Sequence, residues 1–219
     1  MELTVKPVSA DIVIRAVYKE AMLGLAQESL RLPIVKKFLE LFKLRLDDLK
    51  FDQTSLSGNF LKFTKAFGTS LFDVSFGFEE ISARLWRTES EDQALDLFQK
   101  LFLILAEFPI STLTLNISHQ FSTEGNVDPY LQDLSPKVPK GFQDILSGRG
   151  MLYNLRIPEH DLKIYITLAN SLFVENGLFL ALENQFTPFT GDFNAMTQIV
   201  LEKYNFILTE LGIKIHEEK

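Results

Sequence analysis

The sequence predicts an α+β fold in which two similar halves each carry an antiparallel meander of strands and a following helix. Three observations favour it: apolar residues recur with period two in several short runs, turn-forming residues separate these runs, and an apolar stretch of helical spacing ends each half. The gaps within each meander are too short for crossover helices, so neighbouring strands are expected to pair antiparallel. We expect a single compact domain over residues 1–219, which a duplication could divide into 1–108 and 109–219.

The composition is that of an ordinary globular protein with a sizeable core. Of the 219 residues, 46% are hydrophobic and 23% are charged. The 22 basic and 29 acidic residues leave a net charge of −7, which argues against nucleic acid as a partner. Because cysteine is absent, the chain has neither disulfides nor thiolate metal ligands, and it suits a reducing compartment.

The sequence gives no sign of a membrane partner. Its N-terminal residues lack the basic segment and the apolar run of a secretory signal. The longest unbroken apolar stretch, 101–106, is far too short to span a bilayer. We therefore expect a cytoplasmic protein.

The first half is predicted to begin with a strand over about 11–20, although a helix capped by Ser9 fits the same residues almost as well. A helix follows over about 33–45, with Pro33 in its first turn. A second helix, from a capping box near 90 to about 107, is apolar over more than one stripe, so it is buried between layers or covered by a partner. Four strands of period two are predicted between these helices, around 49–51, 61–67, 72–78 and 81–85.

The second half opens with the clearest strand of the chain, in which apolar and polar residues alternate over 112–121. A long connection rich in proline and glycine follows over 122–148. The last helix, over 192–211, ends at Gly212, which we expect to adopt a left-handed conformation. Two short helices, around 127–134 and 140–146, and three strands, at 151–157, 162–169 and 178–186, are predicted between these elements.

Arg149 and His119 are the candidate residues of a small-ligand site. His119 falls on the apolar phase of its strand, where a functional imidazole would be sheltered, although a core histidine satisfied by one hydrogen bond is more common. Arg149 lies between two glycines, where its guanidinium could bind an anion, although a surface arginine in a turn is commoner. The three histidines never approach a metal-ligand spacing and a glycine-rich phosphate loop is absent, so no metal or other cofactor is expected.

Phenylalanine is unusually abundant, with 20 residues against 5 tyrosines and 1 tryptophan. Several phenylalanines lie outside the inward phase of the predicted strands, and such surplus apolar surface is typical of protein-binding faces. A sheet buried on both faces would use the same residues, so the pattern leaves partner binding and internal burial open. The candidate partner-binding residues are Phe60, Phe179, Phe186 and Phe189.

The sequence contains no catalytic motif, and two classes of function stay open. The first is a non-enzymatic interaction protein: an accessory protein, adaptor or inhibitor that binds a partner protein, or a second copy of itself, through an apolar sheet face or edge. The alternative is a small-ligand sensor, or an enzyme, whose site is assembled from scattered residues near Arg149 and His119.

Four segments of the sequence, 112–121, 127–134, 152–168 and 178–211, carry a similarity in the order of the elements. Over the whole chain this order is strand, long helix, meander, buried helix, isolated strand, proline-rich connection, meander and C-terminal helix. It resembles a sporadically distributed family of bacterial proteins of unassigned function. The resemblance implies a bacterial accessory protein and brings no catalytic residues to this chain.

Overall fold

The described part of the chain folds into ten strands, which form one sheet, and four α-helices. The structure is a computed structural model that describes residues 2–51, 59–88, 91–135 and 149–216. The helices are α1 (Glu28–Leu41), α2 (Glu91–Leu105), α3 (Asp128–Leu134) and α4 (Phe193–Glu210). The strands are β1 (Leu3–Tyr18), β2 (Leu49–Phe51), β3 (Asn59–Phe67), β4 (Ser70–Gly77), β5 (Glu80–Thr88), β6 (Ile110–Thr123), β7 (Gly150–Ile157), β8 (Leu162–Asn170), β9 (Leu178–Phe186) and β10 (Ile213–Ile215).

Two long strands, β1 and β6, form the centre of the sheet. They pair antiparallel from Val5 opposite Thr123 to Tyr18 opposite Ile110. The strand order is β2-β3-β4-β5-β1-β6-β9-β8-β7, and every neighbouring pair in this order is antiparallel. The short β10 pairs with the beginning of β1 in parallel. The predicted antiparallel meanders are therefore confirmed.

The two halves of the chain repeat one order of elements. The first half runs from β1 through α1 to the meander β3-β4-β5 and then α2, and the second runs from β6 through α3 to the meander β7-β8-β9 and then α4. In the sheet the two meanders lie on opposite sides of the β1–β6 pair. The structure thus confirms the α+β class and the two similar halves, each a meander with a helix.

All four helices accompany one face of the sheet. Phe38 of α1 contacts Phe63 of β3 edge-on, with 5.4 Å between ring centroids, and Phe98 of α2 contacts Phe72 of β4 at 6.1 Å. In the second half Tyr204 of α4 lies 5.3 Å from the ring of His119 on β6. Because side chains alternate along a strand, the residues between these inward positions form a second face, which we call the open face.

The registers align the open-face residues in rows across the strands. One row runs from β4 to β8 through both halves, and its side chains are half-buried. It consists of Asp73, Arg84, Val13, Asn116, Glu183 and Tyr165, in that order. The open face is therefore one continuous surface, polar over most of its area.

A cluster of phenylalanine rings accounts for much of the abundance of this residue. Phe42 lies 5.6 Å from Phe63 and 5.5 Å from Phe72, and Phe38 lies 6.0 Å from Phe76. All five rings are at most 3% exposed. Offset and edge-to-face pairs of this kind add about 0.5–1.5 kcal/mol each to the free energy gained from area burial. Internal burial thus explains most of the rings in the first half.

The boundaries of the first elements differ from the predicted ones. The interpretation of 11–20 as a strand is confirmed and the helix capped by Ser9 is wrong, but β1 begins earlier, at Leu3. Helix α1 begins at Glu28, so Pro33 lies in its second turn rather than its first. A proline there removes one intrahelical hydrogen bond, because the helix leaves only its first four N–H groups without an intrahelical partner and Pro33 lies beyond them. The short helix predicted at 140–146 lies outside the described residues.

Burial within the chain accounts for most of the apolar surface of α2, although Leu95 and Leu103 remain 44% and 56% exposed. Leu101, Ile104 and Leu105 are fully buried, and Phe102 stacks on Phe193 of α4 with 4.6 Å between centroids. Lys37 of α1 donates a hydrogen bond to the carbonyl oxygen of Leu103. Helix α2 therefore has α1 and α4 as neighbours. Of the helices in the described residues, none has both the length and the apolarity that a membrane crossing requires.

The β8–β9 turn provides a stability test. A methyl group at Gly177 would lie 2.5 Å from the carbonyl oxygen of Phe121 and 2.6 Å from Cβ of Val174, closer than real Cβ contacts. We predict that Gly177→Ala lowers the free energy of unfolding by about 1–3 kcal/mol, measured by urea denaturation. A methyl group at Gly125 meets nothing within 4 Å, so Gly125→Ala is the matched control and stays near the wild-type value. Equal stability of the two variants would contradict the turn geometry.

Candidate functional site

His119 lies on the inner face of β6, as its apolar phase predicts. Its ring stacks on Phe121 at 5.3 Å and also contacts Tyr204, and its Nδ1 atom has no hydrogen-bond partner among the described residues. Burial lowers the pKa of His119 to about 4, so the imidazole is neutral at pH 7. The residue is thus an uncharged ring between aromatic neighbours.

Arg149 stands at the beginning of β7 and is held by polar contacts of its own. Its backbone N–H donates to Oδ1 of Asn170 at 2.8 Å, and its guanidinium donates to Oγ of Ser135 at 3.3 Å. Asn170 in turn donates to a carboxylate oxygen of Asp128 at 2.8 Å. These contacts tie the start of β7 to the end of β8 and to α3.

The fold does not bring Arg149 and His119 together. Strands β8 and β9 separate β7 from β6 in the sheet, and three strand spacings amount to roughly 14 Å. His119 contacts aromatic rings, whereas Arg149 contacts polar groups near α3. A shared small-ligand site of these two residues therefore has no support in the geometry.

The four candidate phenylalanines occupy different environments. Phe186 and Phe189 belong to the core, with 5% and 8% of their surface exposed, so their rings are not available to a partner. Phe179 is half-buried on the open face, where it is paired with Gln120 of β6. The side chain of Phe60 lies outside the described residues. Phe179 is thus the candidate that the structure places on a free surface.

A charged aromatic cluster lies on the first half of the open face. Arg84 donates to a carboxylate oxygen of Asp11 at 2.9 Å, and its guanidinium carbon lies 3.5 Å from the ring centroid of Trp86. The other carboxylate oxygen of Asp11 accepts the backbone N–H of Arg87. Arg84 therefore has both a carboxylate and an aromatic face as partners within the chain.

The second half of the open face carries a cavity of about 340 Å³, which we call the Glu183 pocket. In its row Glu183 is paired with Asn116 on one side and Tyr165 on the other. Among the described residues Glu183 has no ion-pair partner. The pocket is lined by Asn116, Leu152, Tyr165, Thr167, Ala181, Glu183 and Gln185.

Shielded polar atoms without partners lie on both faces of the sheet, and four of them belong to the open face. Within the described residues, such atoms there are Oγ of Ser75, Nε of Arg84, Nε1 of Trp86 and Oδ1 of Asn116. Polar atoms that water cannot reach are paired in most folded proteins, because leaving one unpaired costs about 1–3 kcal/mol. The inner-face examples, such as Nδ1 of His119 and Oδ1 of Asn184, are covered by the core, whereas the four on the open face belong to half-buried side chains of a surface that the helices leave uncovered.

An exposed apolar loop borders the open face. Leu172 and Phe173, in the β8–β9 connection, are 92% and 83% exposed. Ser171 orders the loop: its Oγ accepts the backbone N–H groups of Phe173 and Val174 and donates to Oε1 of Gln120. Since Gln120 belongs to the open face, the two apolar side chains stand at its margin.

Sequence comparisons give this chain no relatives: no protein-family model and no curated protein matches it. The resemblance to a bacterial family therefore stays a hypothesis. Among the described residues, no group of three histidine, aspartate or glutamate side chains is placed to hold a metal ion. The site has to be interpreted from its own geometry.

Sequence reasoning missed the residues of the open face that now stand out, namely Arg84, Trp86, Asn116 and Glu183. A signal for two of them was present, because charged residues are uncommon in the middle of central strands and here Arg84 and Glu183 hold such positions. The relation of Glu183 to Asn116 could not be read from the sequence, since it depends on which strands are neighbours.

The buried His119 predicts acid sensitivity. Its pKa of about 4 lies below the ordinary value of 6.5, so between these pH values the unfolded chain binds a proton that the folded chain does not. As far as this group is concerned, the free energy of unfolding is at its full value above pH 6.5 and falls by about 3 kcal/mol as the pH is lowered to about 4. We predict that His119→Phe flattens the slope of unfolding free energy against pH in this window, whereas the exposed His216→Gln leaves it unchanged. An unchanged slope in His119→Phe would show that His119 does not cause it.

Proposed function

We propose that this protein is a non-enzymatic interaction protein, an accessory protein, adaptor or inhibitor, that binds a polypeptide partner with the open face of its sheet. The observation that carries the proposal is the open face itself, which presents four shielded polar atoms without partners while the helices accompany the other face. A polypeptide could supply the missing hydrogen-bond partners along several strands at once.

The side chains of the open face support a protein partner over a small molecule. Trp, Tyr and Arg are the residue types most enriched at the energetic centres of protein interfaces. Trp86, Arg84 and Tyr165 lie on this surface, with Phe179 towards its margin and the exposed Leu172–Phe173 pair at the border. Such a combination of aromatic anchors in a polar surround is typical of interfaces between proteins that also exist apart.

The proposal differs in one respect from the expectation of an apolar binding face. The apolar face of the sheet is occupied by the chain's own helices, so docking is assigned to the polar and aromatic face. Strand β7 forms an edge of the sheet beside this surface, since within the described residues its strand neighbour is β8. It carries Leu152, whose side chain is 71% exposed. A partner strand at this edge would extend onto the open face.

The charge of the chain favours a basic partner. The net charge is −7, and Glu183 on the open face has no cation paired with it among the described residues. Opposite charge speeds the encounter of two proteins and disfavours partners of like charge. We assign the protein to the cytoplasm, in agreement with its lack of cysteine.

The proposal is tested with two matched aspartate variants. Phe179 lies on the open face and Phe206 is 53% exposed on α4, so Phe179→Asp places a charge on the docking surface and Phe206→Asp places one on the helical side. A partner is first isolated from the native host, identified and purified, and its affinity is then measured by calorimetry. We predict binding at least about 30-fold weaker for Phe179→Asp and unchanged for Phe206→Asp.

Three results would overturn the proposal. One is that Phe206→Asp loses the partner while Phe179→Asp keeps it. Another is that light scattering finds a homodimer that Phe179→Asp dissociates, since the occupant of the open face would then be a second copy. The last is turnover of a small molecule by a monomer that binds no protein. Phe189→Asp is unsuitable as a probe, because Phe189 is buried and the variant would be destabilised.

A further inference from the structure

We propose that the Glu183 pocket binds the guanidinium group of an arginine side chain from the partner. The inference rests on the proposed function, because the arginine belongs to the polypeptide on the open face. It is carried by a cavity lined by the unpartnered Oδ1 of Asn116 and by the carboxylate of Glu183, which has no ion pair among the described residues, and by an arginine at the equivalent position of the other half.

The pocket provides hydrogen-bond acceptors that are close together. Glu183 of β9 is paired with Asn116 of β6 and with Tyr165 of β8. Residues directly opposite each other in antiparallel strands have Cβ atoms roughly 4.5–5.5 Å apart. Oδ1 of Asn116 is shielded from water and has no partner, and the carboxylate of Glu183 has no ion pair among the described residues. Gln185, two residues along the same face, adds a further amide. This group of acceptors needs a ligand with several N–H donors.

The first half of the open face contains the complete form of such a site. Val13 of β1 and Asn116 of β6 are paired at the centre of the row. Arg84 is the next residue beyond Val13, and Glu183 is the next residue beyond Asn116. Arg84 has a carboxylate at 2.9 Å, from Asp11, and an aromatic ring, that of Trp86, at 3.5 Å. The second half has the carboxylate of Glu183 and the ring of Tyr165. Among the described residues, however, no cation is bonded to the carboxylate of Glu183.

Arginine fits this pocket better than lysine does. A guanidinium has five N–H donors in one plane and can bond a carboxylate and an amide oxygen together while it lies on an aromatic ring, whereas an ammonium has three donors around a point. Leu152, 71% exposed at the pocket wall, offers an apolar surface to the methylene stem. A volume of about 340 Å³ is at the low end for ligand cavities, which suits a single side chain.

Lys163 is the chain's own competitor for this position. It is paired with Gln185 and so lies diagonal to Glu183, but its side chain is exposed and it forms no ion pair with Glu183. If Lys163 occupied the pocket in solution, an external cation would be excluded, and the experiment below would detect this as a failure to bind.

The test uses two small probes of nearly the same shape, one with the charged guanidinium and one in which a neutral carbonyl acceptor replaces one of its NH2 donors. N-acetyl-arginine amide carries the guanidinium, and N-acetyl-citrulline amide replaces it with a neutral urea group of nearly the same shape. Binding to the full chain is measured by protein-observed NMR. We expect saturable one-to-one binding of the arginine probe, with shifts at Asn116, Tyr165 and Glu183, and at least about tenfold weaker binding of the citrulline probe.

Variants identify the carboxylate. Glu183→Gln keeps the size of the side chain and should weaken binding of the arginine probe by at least about tenfold. Glu175→Gln is the matched control, since Glu175 is exposed in the β8–β9 turn and does not line the pocket, and it should bind the probe like the wild type. Absence of saturable binding, equal binding of both probes, or full binding by Glu183→Gln would overturn the inference.

The purified partner separates this inference from the proposed function. A partner whose binding is lost in Phe179→Asp but unaltered in Glu183→Gln would leave the open face as the docking surface and overturn the arginine contact. A pocket that binds free arginine or agmatine with micromolar affinity, in a chain that binds no protein, would instead make the source a small molecule and overturn both. The prediction is that the isolated probe binds weakly and that Glu183→Gln also weakens binding of the partner.

Discussion

The antiparallel pairing of β1 with β6 is the constraint on which the rest of the structure depends. It joins the two meanders into one sheet, and its register decides which side chains of both halves face the helices. Because side chains alternate along a strand, a slip of one residue would move Leu115 to the open face and Asn116 into the core. With the observed register Ile14 lies beside Leu115 and Val13 beside Asn116, so both faces are continuous across the molecule.

The same pairing gives the open face its asymmetry. The halves match in the order of their elements but not in the residues at equivalent positions of the central row, where Arg84 stands in one half and Glu183 in the other. Arg84 is paired with Asp11 and lies over the ring of Trp86, so its charge is balanced within the chain. The carboxylate of Glu183 has no ion pair among the described residues, and this difference is the reason for proposing that a basic partner binds at the second half.

Local elements could be predicted from the sequence because local signals define them. Strand β9 begins and ends at the predicted residues, 178 and 186, since its alternation is regular and a turn with Gly177 precedes it. Pro33 misled the prediction of α1, because proline is common in the first turn but tolerated in the second. The Glu183 pocket could not be predicted, because Asn116 becomes a neighbour of Glu183 only when β6 pairs with β9, a strand far from it in sequence.

The central claim is that a partner covers the open face, and Trp86 gives direct access to it. Trp86 is the one tryptophan of the chain and lies on this face beside Arg84, so 5-fluorotryptophan labelling yields a single fluorine resonance from the surface in question. The partner is added unlabelled until binding is complete. The account predicts that the resonance shifts and that iodide, present in solution, quenches Trp86 less in the complex. A saturated complex with an unshifted resonance and unchanged quenching would contradict it.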